Sequence, residues 1–170
     1  MMRLDPLPAP NHSDSSEYIE QLYSIFLNTL IRRHLVWRPN GKRLTLRRQP
    51  EIQGRHAIFW HVISGGMGEE AARTLDPERC RRIGWIGLVI EQFNRDWPQE
   101  RQIHWWVSSR SRGSTKRYLI TINDFSYIVV IDEKPDYAVL VTAYYVKQPH
   151  RQRKLRNEHA AYWSQQEPPL

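Results

Sequence analysis

His61 stands in the string FWHVISGG beside a glycine-ended turn, and an imidazole titrating near neutrality can give or take a proton there. The other reading is a histidine buried among Phe59, Trp60 and Val62 that hydrogen-bonds a carbonyl. His56 lies five residues earlier, on another face if the segment is helical. That spacing misses the i, i+4 pattern of a helical two-histidine metal site, and no carboxylate cluster joins it. No metal site and no cofactor are expected. Arg79, Arg81 and Arg82 flank Cys80 at a helix start, where guanidiniums and backbone N–H groups can hold a phosphate. Positions 79 and 82 share a helical face, and Arg82 is the first choice; a solvated basic face is the alternative. Ser108-Ser109-Arg110-Ser111-Arg112 closes an extended run with hydroxyls and guanidiniums suited to a phosphate backbone, or to a solubilising loop. Thr142 and Tyr144 offer a hydroxyl pair on one strand face with Leu140, and both are also ordinary strand formers. Lys147, His150, Arg151, Arg153, Lys154 and Arg156 form a basic run that reads as a salt-sensitive backbone contact or as a solvated helix start. Gly65-Gly66-Met67-Gly68 is no phosphate loop, because no GK[ST] follows it.

These side chains need elements to carry them. Met1 to about Ser13 is proline-rich and aperiodic, a flexible lead-in. Ser13-Asp14-Ser15-Ser16 offers helix caps, and Ile19, Leu22, Tyr23, Phe26 and Leu30 keep helical spacing to about Leu35. Pro39-Asn40-Gly41-Lys42 marks a turn between the extended runs 35–38 and 43–47. Residues 54–64 are apolar and read as helix in preference to strand, closed by a glycine cap. Asp76-Pro77 is a cap with proline at the first helical position. Cys80, Ile83, Ile86, Gly87 and Ile90 then predict one helix to about Phe93, with Gly84 and Gly87 permitting a close neighbour. Four β-rich runs follow at 101–109, 116–123, 126–132 and 137–146. Their short breaks predict an antiparallel meander. Both faces of the 116–123 run mix polar and apolar residues, so the cleft side stays open. A last helix follows Pro149, and His159 reads as a packing histidine within it.

The chain of 170 residues is long enough to bury a core, and its 40% hydrophobic content is globular. The expected organisation is a lead-in at 1–13, a single α+β nuclease-like domain at 14–165 and a tail at 166–170. Its fold class is α+β: N-terminal helices, a four-stranded antiparallel meander and a C-terminal helix. One cysteine excludes an internal disulfide and a cysteine-based zinc site, and it has no nucleophile context. No apolar run suggests a membrane span or a secretory core, so a reducing cytoplasm is the expected setting. A net charge of +7 carried mostly by arginine, together with abundant aromatic residues, points toward a nucleic-acid partner.

The order of helices, FWHVISGG, the arginine-rich RCRRIGWI, four strands and a last strand carrying TAYYV resembles the phage-associated branch of the BECR nucleases. That superfamily joins barnase, EndoU, colicin D and RelE-like toxins, and the likeness covers roughly residues 54–163. It implies metal-independent RNA cleavage in which the ribose 2′-hydroxyl attacks the adjacent phosphodiester and leaves a cyclic phosphate. The resemblance matches His61 to the His-bearing element for proton transfer and points at Thr142 and Tyr144 in the cleft; Arg82 and Arg110 would steady the phosphate. His56, Arg79, Ser109, Arg112, Lys147, Arg151 and Arg153 would hold RNA, possible substrates including tRNA. A toxin-like enzyme also implies a neutralising antitoxin or immunity partner, acidic to match this basic surface. The competing expectations are a basic RNA- or DNA-binding module with no activity, and an accessory protein of a phage or mobile element that acts by protein contact.

Overall fold

The computed structural model describes residues 2, 4–10, 15–65 and 74–166. The expected caps Ser13 and Asp14, the glycine string beyond Gly65 and the tail after Gln166 lie outside the described residues. Helix α1 (Ser15–Phe26) buries Leu22 and Phe26, as its spacing predicts. The helix does not run on to Leu35 in regular form. Its last turn widens into a π turn at Leu27–Ile31, which keeps Leu30 in the core. Strands β1 (Val36–Trp37) and β2 (Lys42–Thr45) form the expected hairpin. Gly41 turns it at φ +68, and the Asn40 side chain accepts from the Lys42 amide.

Helix α2 (Ala57–Ile63) is helical as predicted and buries six of its seven residues, His61 being the exception. In place of a glycine cap, Ser64–Gly65 (β3) pairs with Thr74–Leu75 (β4). Asp76 caps α3 (Pro77–Arg81) by accepting from the amides of Glu78 and Arg79. The single helix expected from Asp76 to Phe93 is two helices, with α4 spanning Trp85–Asp96. The cause lies in the lead-in. Leu7 donates its amide to the Arg81 carbonyl at 2.8 Å, while the Trp85 amide turns to Arg82. The Arg81 guanidinium answers by donating to the Leu7 carbonyl.

Strands β5 (His104–Val107), β6 (Lys116–Thr121), β7 (Tyr127–Glu133) and β8 (Ala138–Tyr145) pair antiparallel in succession. The four-stranded antiparallel sheet expected from sequence is nevertheless incomplete. β2 lies parallel to β8 through Leu44 and Thr45, giving a mixed six-stranded sheet in the order β1-β2-β8-β7-β6-β5. Pairing with β2 satisfies the β8 edge, which the meander alone leaves bare. The fold class is α+β.

One face of this sheet carries Tyr118, Ile120, Tyr127, Val129, Ile131, Leu140 and Ala143 into the main core beneath α1, α2 and α4. The other carries Trp106, Leu119, Ile128, Val130 and Val146 under α5 (Pro149–Gln166). A bulge in β8 opposite Val130/Ile131 breaks the expected alternation. Leu140 therefore faces the main core, whereas Thr142 and Tyr144 face α5, so the three do not share a face.

Gly87 brings α4 onto the π turn: a Cβ there would lie 2.6 Å from the Thr29 carbonyl oxygen, whereas one at Gly84 would meet only Ile25 at 3.6 Å. Gly87→Ala should lower the stability of the fold by roughly 1–3 kcal/mol, because backbone must shift. Gly84→Ala should change it by less than about 1 kcal/mol. Urea unfolding of the two variants checks the contrast, and equal effects would contradict the close approach.

Candidate nucleic-acid interface

Because α5 covers the second sheet face only in part, a groove of about 800 Å³ runs between them. Its floor is apolar: Trp106, Leu119, Val130, Val141 and Val146. One rim is the loop after β5, where the Ser111 hydroxyl donates to the Ser108 carbonyl and accepts from the Arg117 amide. The Arg110 amide donates to the Ser108 hydroxyl, so a hydrogen-bonded loop presents Ser109 and Arg110 to the groove. The opposite rim is α5, which contributes Arg151, Lys154, Glu158, Ala161 and Gln165 at helical spacing. Thr142 and Tyr144 of β8 enter between the two rims.

Arg117 also reaches the groove, but Asp132 on the neighbouring strand holds it through two hydrogen bonds of 2.7 and 2.8 Å. That fork raises the arginine pKa still further. Among the described residues, the side chains of Arg110, Arg151 and Lys154 have no such carboxylate partner. Tyr144 keeps its proton: burial pushes its pKa up, Arg151 and Arg79 draw it down, and Glu158 adds to the rise.

Seven of the candidate residues named from sequence thus meet in one place, namely Ser108, Ser109, Arg110, Thr142, Tyr144, Arg151 and Lys154. Arg79 stands beside them, its guanidinium 5.8 Å from the Tyr144 ring centre, yet it donates to the carbonyls of Ser64 and His61. His61 itself rides on α2, on the main-core side of the sheet. Arg82 is also on that side. It is 8% exposed, paired with Glu78, and lies 3.9 Å from the ring centre of Tyr145, the neighbour of Tyr144 that points the other way. His56 precedes α2 with its Nδ1 2.8 Å from the Tyr23 hydroxyl and its ring against Phe26. Arg112, Lys147 and Arg153 are exposed and do not line the groove.

Sequence reasoning passed over Glu158 and Gln165, although their spacing from Arg151 and Lys154 places all four on one helical face. Arg117 carries no such signal, since both faces of the 116–123 run mix polar and apolar residues. Cys80 is buried as expected, its thiol pushed up to about 12 chiefly by burial. One group among the described residues has the donors for a metal ion, Glu100 with His104 and His159, and it is not part of the groove lining.

No family model, no curated protein and no solved structure matches the chain. Among the described residues, no helix is long and apolar enough to cross a membrane.

Two outcomes follow from this geometry. Arg82→Ala should lower stability by about 1–3 kcal/mol through loss of its pairing and stacking, whereas Arg110→Ala should stay within about 0.5 kcal/mol. Thermal unfolding of the pair measures it, and a neutral Arg82→Ala would contradict a structural role. His56 gives a pH signature. Burial, then Arg48, lowers its pKa below the ordinary value. The unfolded chain therefore takes up this proton at higher pH than the folded one, and stability falls as pH drops through about 6.5. In His56→Gln the urea midpoint should depend less steeply on pH between about 5 and 7; an unchanged slope would count against it.

Proposed function

We propose that the groove between the second sheet face and α5 binds the backbone of a single RNA strand. The observation that carries this reading is the convergence of Arg110, Arg151 and Lys154, without carboxylate partners among the described residues, on a groove that also holds the hydroxyls of Ser109, Thr142 and Tyr144. Three cations fix a phosphate chain in register, and the hydroxyls donate to its oxygens. Tyr162, partly exposed on α5, gives the groove aromatic surface of the kind on which bases stack. Contact of this type reads charge and shape more than sequence.

A second reading adds cleavage, on the resemblance to the BECR nucleases and on one observation. Tyr144 holds its proton within the influence of both Arg151 and Glu158. In a metal-independent endoribonuclease of toxin type, Glu158 takes the proton of the ribose 2′-hydroxyl as that oxygen attacks phosphorus. Tyr144 gives its proton to the departing 5′-oxygen, and a cyclic phosphate remains. Arg110 and Arg151 bear the charge that builds on the phosphoryl oxygens. On this reading the α+β fold is BECR-like, the setting is the cytoplasm, and an acidic protein covering the same cations acts as the neutralising partner.

The binding reading is tested by anisotropy of a labelled single-stranded RNA across a salt series. Three phosphate contacts to a single strand give a slope near −2 in log K against log salt. Alanine at Arg110, Arg151 or Lys154 should each flatten it by about 0.7, and Arg43→Ala on β2, outside the groove lining, should leave it alone. Binding without salt dependence, or equal losses from Arg43→Ala, would overturn the groove as the site. Incubation of tRNA and total RNA in excess EDTA then isolates the chemistry. Cyclic-phosphate fragments that vanish in Tyr144→Phe and Glu158→Gln support cleavage, and intact RNA sinks it.

A further inference from the structure

Three side chains from separate parts of the chain converge outside the groove, where the end of β5 meets α5. Glu100 lies in the loop before β5, His104 opens the strand and His159 sits on the helix. Glu100 Oε2 is 2.7 Å from His159 Nε2 and 3.3 Å from His104 Nδ1, and donor atoms of all three lie within 4.8 Å of one another. The same carboxylate oxygen also accepts from the Trp105 amide at 2.8 Å. It serves the amide and His159, while His104 Nδ1 is buried without a hydrogen-bond partner. Buried ring nitrogens normally find a partner, so hydrogen bonding leaves this cluster incomplete.

We propose that Glu100, His104 and His159 form a binding site for a divalent transition-metal ion of the zinc class, with water as fourth ligand. Two imidazoles and one carboxylate are a borderline donor set, matched to zinc and its neighbours and not to calcium or magnesium. Ligand atoms about 2.0–2.1 Å from a tetrahedral ion stand roughly 3.3 Å apart. The Glu100–His104 separation of 3.3 Å already meets that spacing, His159 stands about half an ångström too close to Glu100, and the two histidine ligand atoms lie within 4.8 Å of each other. The rings are held in place beforehand. Phe125 stacks on His104 at 5.2 Å, and Trp106 stands edge-on to His159 at 5.7 Å. Side-chain exposures of 17% for His159, 21% for Glu100 and 32% for His104 leave one side open for the water. Arg156, one turn before His159, is the nearby opposing charge, and it donates to the Asp124 carbonyl at 3.2 Å.

The site joins α5 to the edge strand. That matters because α5 has no fully buried residue of its own, although it forms a wall of the groove. The proposal does not depend on what the groove binds.

The test uses the full chain, dialysed against chelator and titrated with zinc by calorimetry and with cobalt(II) by visible absorption. One equivalent should bind at micromolar Kd or tighter, with the d–d bands of a four-coordinate cobalt site. A hundredfold excess of zinc over Kd should raise Tm by roughly 5–10 °C. Glu100→Gln and His104→Asn should each weaken binding at least tenfold. His104→Cys should keep the site and add a thiolate-to-cobalt charge-transfer band, which separates loss of a ligand from loss of the fold. Absence of a one-equivalent site would overturn the proposal. So would binding that these substitutions leave unchanged, as for an ion held at other histidines.

Discussion

Strand β7 has to hide apolar side chains on both of its faces, and that requirement organises the molecule. Tyr127, Val129 and Ile131 point one way, Ile128 and Val130 the other, and all five are buried. A sheet wet on one side cannot satisfy such a strand, so something must cover each face. The amphipathic helices α1 and α4 and the apolar α2 do this on the first face with Phe26, Phe59, Ile86 and Phe93. On the second face the cover is α5, which contributes mainly Leu155 and Tyr162 at its contact line. A polar helix with so few apolar residues screens the strand without closing over it. The groove is what that partial cover leaves, and its apolar floor is the outer face of the β7 requirement.

The bulge in β8 sets what the groove contains. Without the extra residue at Val141, strict alternation would put Leu140 beside Thr142 and Tyr144 on the polar side. With it, Leu140 and Ala143 enter the main core while Val141, Thr142 and Tyr144 turn to α5. Tyr144 and Tyr145 then project to opposite faces, and each has an arginine near its ring, Arg79 for the first and Arg82 for the second. Two arginines three residues apart, one on α3 and one capping its C-terminal end, are thereby given different surroundings. One is at the margin of the groove, the other is sealed among Trp85, Tyr145 and Glu78.

What could be read from sequence was local. Asp76-Pro77 announces a capped helix because the cap acts within three residues, and Asn40-Gly41 announces a hairpin for the same reason. The spacing of Arg151, Lys154, Glu158 and Gln165 likewise places them on one side of a helix whatever that helix packs against. The failures are contacts between distant segments. Leu7 divides α3 from α4 by taking the Arg81 carbonyl, and β2 joins β8 across most of the chain. Nothing in the pattern around residues 76–93 or 137–146 carries either fact. Glu100 and His104 are four apart in sequence, but their meeting with His159 needs the whole sheet and α5 to be in place. The π turn at Leu27–Ile31 is a further case, since its Thr29 packs on Gly87 of α4, a contact that the helical periodicity does not carry.

The joint abundance of arginine and aromatic residues argues for nucleic acid when read as composition, and the fold shows why that argument is weaker than it looks. Guanidiniums stack on aromatic faces inside proteins as readily as on bases. Here Arg55 lies near Tyr23 and Trp60, Arg38 near Trp97, Arg82 over Tyr145 and Arg156 over Phe125. Arg33 and Arg48 pair with Glu91 and Glu51, and Arg117 with Asp132. A large part of the positive charge is therefore engaged by the protein itself. The nucleic-acid reading survives because Arg110, Arg151 and Lys154 face the groove without such a partner among the described residues, and it is these three positions, more than the net charge of +7, that give it content.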